Sequence, residues 1–239
     1  MQGMDSNERF TVLSEHVQLA HRTQTLPAFF AAPQTEREET PAVVLAMHLW
    51  GVDASMRAAA ERFARAGFVT LVPDLYARLG APPGDDANDP APFIPLARRL
   101  TSVDIDAAFD ASVRWVHERY PLARIGLAGF CMGGRMATAR ASGYATTFSA
   151  VAAWYGLADI DPHAVDVPLV GSYGADDTGI PVEQVRAFEH GLEVPHDIVI
   201  YPGAGHAFAD ERRDSFELRA SEDSWRRTLR FFETHLRKT

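Results

Sequence analysis

The chain contains a single cysteine, Cys131, which stands in the short stretch GFCMG at residues 129–133. This stretch is the pattern G-x-S-x-G with a thiol in place of the serine hydroxyl. In that pattern the nucleophile occupies a tight turn between a strand and a helix, and small flanking residues let the two elements approach closely. The N–H groups at the start of such a helix favour a reactive thiolate. We therefore predict that Cys131 is a nucleophile, the alternative being a small buried apolar side chain.

A thiol nucleophile needs a base, and the base needs a group that orients it. Where this strand–turn–helix pattern, here called the elbow, carries a nucleophile, an acid and then a histidine follow along the chain. Here GSYGADD ends in Asp176 and Asp177, and PGAGHAF contains His206. Both segments follow apolar runs, and ligands of α/β sheets bind beyond the carboxyl ends of the strands. We predict a triad of Cys131, one of these aspartates and His206, rather than a turn aspartate and a solvated loop histidine.

Continuous apolar runs alternate with helical patterns along the chain, which predicts an α/β fold with a mostly parallel central sheet and helices on both faces. The predicted buried strands are 41–47, 68–74, 124–130, 148–156, 167–174 and 196–203. The predicted helices are 53–67, capped by Asp53, then 104–120, 182–193, and 221–238, capped by Ser221. Residues 8–20 and 26–33 predict an antiparallel pair at the sheet edge, and 79–95 a lid-like loop rich in Gly, Pro and Asp.

Composition narrows the class of protein. The 239 residues, 46% of them hydrophobic and 23% charged, predict one domain over residues 1–239. The net charge of −9 and the lack of a basic run argue against a nucleic-acid or membrane-surface partner. One cysteine forms no internal disulfide, no secretory signal is recognised, and the apolar runs are too short to span a bilayer. We expect a cytoplasmic protein.

Taken together, the motifs GFCMGG, GADD followed by IP, GAGHAF, and PDLYAR at 73–78 resemble those of the dienelactone hydrolase family. Their spacing covers residues 40–235. The resemblance implies a single α/β-hydrolase domain without a cofactor or metal. It also implies that the protein hydrolyses a small-molecule carboxylic ester or lactone, as a carboxymethylenebutenolidase does, through a thioester acyl-enzyme.

The resemblance also implies roles for individual residues. By position, Asp177 rather than Asp176 is the acid of the triad. The oxyanion hole is implied to be the backbone N–H groups of Leu49 and Met132, and such donors are often the largest catalytic contribution. The residues implied to contact the substrate are His48, Trp50, Tyr76 and Arg78, with Arg78 binding a carboxylate; a surface ion pair is the other explanation for Arg78.

Two positions depart from the family pattern. His48 stands where the family has a glutamate that governs the protonation of the cysteine; a carboxylate disfavours a nearby thiolate, whereas an imidazolium favours it. Asp210 stands where the family has an arginine, four residues after the catalytic histidine. An aspartate repels a substrate carboxylate, which argues against a small anionic dienelactone, unless Arg212 or Arg213 takes the place of that arginine.

Two other functions are compatible with the same residues. The departures at His48 and Asp210 would suit a hydrolase-fold protein that binds a small molecule and hydrolyses little or nothing. A zinc ion held by His48, Cys131 and His206 with one open position is the third hypothesis, although the spacing matches no local metal motif. The oligomeric state is open between a monomer and a homodimer.

Overall fold

The computed structural model describes residues 10–21, 24–81 and 89–237. These fall into two compact units, Met1–Arg124 and Ile125–Thr239. Each unit contains four strands, and the predicted single domain over 1–239 stays a prediction. None of the described helices combines the length and the hydrophobicity that a membrane-spanning segment requires.

The first unit confirms the predicted N-terminal antiparallel pair and the two parallel strands that follow it. Its strands are arranged in the order β1-β2-β4-β3. β1 pairs antiparallel with β2, β2 antiparallel with β4, and β3 parallel with β4. The elements are β1 Val12–His21, β2 Gln24–Pro33, β3 Ala42–Ala46, α1 Ala54–Arg65, β4 Val69–Pro73, α2 Ile94–Ala97 and α3 Ser102–Arg119.

The second unit consists of parallel strands in the order β5-β6-β7-β8. Every residue of β5, β6 and β7 is buried, which is why these strands are continuous apolar runs in the sequence. The elements are β5 Ile125–Phe130, α4 Met132–Ala139, β6 Ala150–Trp154, a short 3-10 helix Pro162–Ala164, β7 Leu169–Gly174, α5 Val182–His190, β8 His196–Tyr201 and α6 Leu218–Leu236. The predicted α/β class with mostly parallel strands is confirmed.

Of the two predicted helix caps, one is confirmed and one is wrong. Asp53 caps α1 as predicted, because its side chain accepts a hydrogen bond from the N–H of Met56 at 3.0 Å. The predicted cap of the last helix is wrong. α6 begins at Leu218, with the Glu217 carboxylate accepting from the N–H of Ala220, and Ser221 is buried inside the helix. A glutamate performs the capping here although serine and aspartate are the usual caps.

The helix α3 begins two residues before its predicted start. Thr101 and Asp104 form a capping box, in which the Thr101 side chain accepts from the N–H of Asp104 and the Asp104 carboxylate accepts from the N–H of Thr101. The predicted lid-like loop 79–95 lies partly outside the described residues, at 82–88. Its last two residues are not loop, because they begin α2.

Aromatic side chains connect α6 to the strand that precedes Cys131. The Trp225 ring lies 5.1 Å from that of Trp154, which stacks on Phe130 at 4.4 Å. The Trp154 indole N–H donates to the Ser224 hydroxyl at 3.0 Å, so the buried indole is satisfied. These contacts hold the ends of β5 and β6, and Cys131 follows directly after β5.

We expect Trp225→Ala to lower the free energy of unfolding by about 3–5 kcal/mol, because it leaves a cavity beside Trp154 and Phe130. Urea unfolding followed by tryptophan fluorescence measures this. The matched control on the same helix is Leu218→Ala, whose side chain is exposed and whose replacement should cost no more than about 0.5 kcal/mol. Equal losses in the two variants would contradict the packing described for α6.

Candidate active site

The turn after β5 holds Cys131 in a strained backbone conformation. Its φ is +53°, a value that residues with a side chain rarely adopt. The Cys131 N–H donates to the Trp154 carbonyl at 3.0 Å, and the Cys131 carbonyl accepts from the N–H of Arg135, also at 3.0 Å. Cys131 is thus tied to the end of β6 on one side and to the first turn of α4 on the other. The predicted elbow conformation at Cys131 is what the structure contains.

Glycine is required at three positions around this turn. A Cβ on Gly129 would lie 2.2 Å from the backbone of Gly133, and one on Gly156 would lie 2.3 Å from the Cys131 carbonyl oxygen. A Cβ on Gly134 would lie 2.7 Å from the Trp154 carbonyl oxygen. Backbone atoms cannot yield over such distances, so strand and helix approach this closely only because these residues lack side chains.

The structure brings Cys131, His206 and Asp177 together. The Nε2 of His206 lies 3.1 Å from the Cys131 Sγ, and its Nδ1 lies 2.7 Å from Oδ2 of Asp177. Asp177 follows β7 and His206 follows β8, so each residue comes from a loop after a parallel strand. The contact between imidazole and sulfur is within proton-transfer distance.

The two candidate aspartates differ in their surroundings. Asp177 is buried, and its second carboxylate oxygen accepts from the N–H of Gly179 at 2.8 Å. Asp176 is exposed. Burial by itself would raise the pKa of Asp177, but the hydrogen bond and the charge attraction of His206, with backbone N–H donors at Gly179 and Ile180, lower it below its ordinary value. Asp177 is therefore an ionised hydrogen-bond acceptor for the imidazole.

His206 is held in its charged form. Burial opposes the imidazolium, but the hydrogen bonds to Asp177 and Cys131 outweigh it and raise the pKa of His206 to about 10. At neutral pH the ring is thus an imidazolium between a carboxylate and a sulfur. Since the unfolded value is 6.5, its contribution to stability is complete below that pH and is lost as the pH rises through about 10.

In the first unit, His48 has a partner that the sequence did not assign. Its Nε2 lies 2.8 Å from Oδ1 of Asp53, the same oxygen that caps α1, and both side chains are buried. The ring of Trp50 packs against it with centroids 5.4 Å apart. The segment from His48 to Gly51 is a tight turn, in which the Gly51 N–H donates to the His48 carbonyl and Gly51 has a φ of +77°.

The remaining predicted site residues take varied positions. Leu49 lies half-buried within the turn after β3, and Met132 is the first residue of α4, where backbone N–H groups point out of the helix end. Tyr76 is buried, with its ring beside Gly51. Arg78 is exposed, and its guanidinium donates to the Thr25 carbonyl of β2 at 2.6 Å. The roles assigned to these four residues stay predictions.

Asp210 is bound within the loop that follows His206. Its Oδ2 accepts from the Nε of Arg213 at 3.2 Å, and its Oδ1 accepts from the backbone N–H of Arg212 at 3.1 Å. The side chains of Asp210 and Arg213 are only 10% and 15% exposed. Each charge therefore partly cancels the other.

Two features of the site were missed from the sequence. The sequence marks Asp53 only as a helix cap, and its one hint of the pair is a histidine, His48, five residues earlier. The sequence predicts Tyr155 to lie in the strand 148–156, but Tyr155 follows β6 and packs on His206. No sequence pattern marks this contact. Within the described ranges, no three His, Cys, Asp or Glu residues are grouped so as to hold a metal ion, which leaves the zinc hypothesis without support.

The fold and these residues define a protein of the α/β-hydrolase class, and comparison with known proteins narrows the class to a family. The model of the dienelactone hydrolase family matches residues 26–236. The "Putative carboxymethylenebutenolidase" of Salmonella typhimurium is 31% identical over a 223-residue alignment that covers 87% of this chain and 82% of the relative. A protein of the same name from Escherichia coli K12 is 30% identical over 226 residues, covering 88% of this chain and 83% of the relative.

Comparison with solved structures indicates the same family. The crystal structure of a "Putative Dienelactone Hydrolase" from Klebsiella pneumoniae superimposes with a TM-score of 0.84 at 26% identity, covering 93% of this chain and 98% of that one. This chain therefore belongs to the dienelactone hydrolase family and is a hydrolase. The predicted family and enzyme class are confirmed.

We expect Asp177→Asn to lower the pKa of His206 by at least about one unit, because the variant removes the carboxylate that stabilises the imidazolium. An NMR titration of the imidazole protons measures this directly and requires no substrate. Asp176→Asn is the matched control, since its side chain is exposed, and it should leave the titration unchanged. If both variants titrate like the wild type, the assignment of Asp177 is wrong.

Proposed function

We propose that this protein hydrolyses a carboxylic ester or lactone with Cys131 as the nucleophile. The observation that carries the proposal is the continuous chain of contacts from Sγ to imidazole at 3.1 Å and from imidazole to the buried Asp177 carboxylate at 2.7 Å. A nucleophile, a base and an orienting group in hydrogen-bond reach of one another are the parts that covalent acyl transfer requires. Family membership supports the same reaction class.

In the first half-reaction, His206 holds the proton of Cys131 on Nε2, and the sulfur attacks the carbonyl carbon of the substrate. A C–S bond forms while the carbonyl π electrons move to the oxygen. We assign the backbone N–H groups of Met132 and Leu49 to this oxyanion. The intermediate collapses with cleavage of the C–O bond, and the imidazolium gives its proton to the departing alkoxide. The product is a thioester on Cys131 and an alcohol, which remains attached to the acyl chain when the substrate is a lactone.

In the second half-reaction, the now neutral His206 accepts a proton from water, and the resulting hydroxide attacks the thioester carbonyl. The tetrahedral intermediate expels the Cys131 thiolate, and the carboxylic acid is released. Asp177 orients the imidazole through Nδ1 and stabilises each imidazolium state. A raised pKa of His206 suits this cycle, because Nε2 then keeps the proton that the departing alkoxide needs.

We expect Cys131→Ala to lower kcat for p-nitrophenyl acetate at least about 100-fold, because the acyl group then has no sulfur to bind. Iodoacetamide should abolish the wild-type activity, and mass spectrometry of a quenched reaction should find the acyl group on Cys131. The chain has one cysteine, so alkylation reports on that residue alone. Full activity of the alkylated protein would overturn the proposal.

The charges of the second unit favour a substrate without a carboxylate. Asp210 stands after His206 and binds Arg213, so these two residues form a closed ion pair, and the Arg213 guanidinium is already shared with a carboxylate. In the first unit, the Arg78 guanidinium is directed at the Thr25 carbonyl. Neither arginine is arranged to receive an anion without first giving up a contact.

We therefore expect kcat/KM for an uncharged lactone to exceed that of the same lactone bearing a carboxylate by at least about tenfold. A matched pair of lactones that differ only in a carboxylate and its methyl ester tests this, with Cys131→Ala as the background control. A preference for the carboxylate would show that Arg78 or Arg213 binds the substrate.

We also place the protein in the cytoplasm, because its single cysteine suits a reducing compartment.

A further inference from the structure

Three non-glycine residues of the described ranges have a positive φ, and all three belong to one locality. They are Cys131 at +53°, Tyr155 at +37° and Ala207 at +64°. Cys131 carries the sulfur, and Ala207 follows His206 directly. Tyr155 is the member with no role so far. A positive φ is a clear exception for a bulky aromatic residue, and such strain persists only where the surroundings enforce it.

The backbone of Tyr155 is fixed from both sides. Its N–H donates to the Ser172 carbonyl of β7 at 2.8 Å, and the carbonyl of the preceding Trp154 accepts from Cys131. The following residue, Gly156, approaches the Cys131 carbonyl so closely that no Cβ fits. The same backbone contacts therefore hold both Tyr155 and the elbow.

This backbone directs the Tyr155 ring against the imidazole. The ring centroids of Tyr155 and His206 are 5.3 Å apart with the planes at 61°, an edge-to-face contact. The Tyr155 ring also packs on Phe208, again with centroids 5.3 Å apart, and on Phe130 at 6.0 Å. Tyr155 is only 2% exposed, so its ring has no room to move away from His206.

His206 needs such a contact, because it lies in a loop and its side chain is 42% exposed. The hydrogen bond to Asp177 fixes one ring nitrogen but lets the ring swing about that bond. A rigid ring at its side removes this freedom.

The Tyr155 hydroxyl is uncharged. Burial raises the pKa of Tyr155 well above its ordinary value, and the charges of Asp210 and Cys131 raise it further, while the charge of Arg213 lowers it. The phenol therefore stays neutral and adds no charge beside the imidazolium.

We propose that Tyr155 is a positioning residue: its strained backbone presents a buried ring that holds the His206 imidazole with Nε2 directed at the Cys131 sulfur. Tyr155 acts through His206 and not on the substrate. This inference rests on the proposed function for its effect on turnover, but the contact between imidazole and sulfur can be measured without any substrate.

The experiment compares Tyr155→Leu and Tyr155→Phe with Tyr201→Leu. Tyr201 is a matched control, because its buried ring also packs on Phe208 at 5.3 Å but, within the described part of the chain, makes no ring contact with His206. Each variant is examined by thermal unfolding, by kcat and KM for p-nitrophenyl acetate, and by the pH dependence of Cys131 alkylation with iodoacetamide.

We expect Tyr155→Leu to lower kcat roughly 10- to 100-fold with KM changed less than about twofold, because a small misplacement of a catalytic group costs this much. Alkylation below neutral pH should slow, and its profile should shift to higher pH, since a mobile imidazolium stabilises the thiolate less. Tyr155→Phe keeps the ring and should behave like the wild type. Tyr201→Leu should lose thermal stability to a similar extent but keep kcat and the alkylation profile.

Equal changes of kcat and of the alkylation profile in Tyr155→Leu and Tyr201→Leu would reduce Tyr155 to a packing residue and overturn the proposal. The same holds if Tyr155→Phe behaves like Tyr155→Leu, because the hydroxyl rather than the ring would then act. If instead the Cys131→Ala variant remains active, the proposed function fails. The alkylation profiles still decide whether Tyr155 positions His206.

Discussion

The close backbone approach at the turn after β5 is the constraint on which the second unit depends. The strand end, the first turn of α4 and the end of β6 meet at Cys131, where added side chains at Gly129, Gly134 and Gly156 would collide with backbone. Hydrogen bonds from Cys131 to Trp154 and from Arg135 to Cys131 then hold a φ that the residue would not adopt by itself. The backbone thus fixes the Cβ of Cys131, from which the sulfur extends toward His206.

The other two residues of the site are attached to this fixed point by charge. The Asp177 carboxylate is buried at the base of a loop, and the imidazolium of His206 lies between it and the sulfur. Burial opposes the charge on each of these groups, yet the attraction between them outweighs it, as the lowered pKa of Asp177 and the raised pKa of His206 indicate. The Asp177 carboxylate depends most on this pairing, because without His206 it would be a buried charge with no opposite charge beside it.

Much of this could be predicted from the sequence because it is local. Buried parallel strands are continuous apolar runs, and the glycines around Cys131 mark a turn that only they permit. Asp177 and His206 could be predicted because each follows a continuous apolar run that forms a strand. Contacts between residues far apart in the chain could be predicted only where both residues belong to a recognisable motif, as in the triad. The ring of Tyr155 meets His206 across fifty residues of sequence, and its positive φ follows from the contact with β7 and not from any preference of tyrosine.

Two local predictions also failed or remained incomplete, for physical reasons. Ser221 is a better cap by type than Glu217, but the chain reaches the first turn of α6 earlier and a carboxylate there can serve. Asp53 was recognised as a cap, and the same oxygen turned out to bind His48. The sequence pattern of a helix start reveals the capping contact of Asp53 but not its second contact with His48.

The positive φ values lower the stability of the fold at residues that the active site uses. A residue with a side chain pays roughly 1 kcal/mol or more for such a backbone, and glycine does not. Exchange of Cys131 for glycine would relax the backbone but delete the sulfur. At Tyr155 the relief would be outweighed by the cavity that loss of the buried ring leaves. At Cys131 a gain in stability would thus cost turnover, so thermostabilisation of this hydrolase should begin elsewhere in the fold.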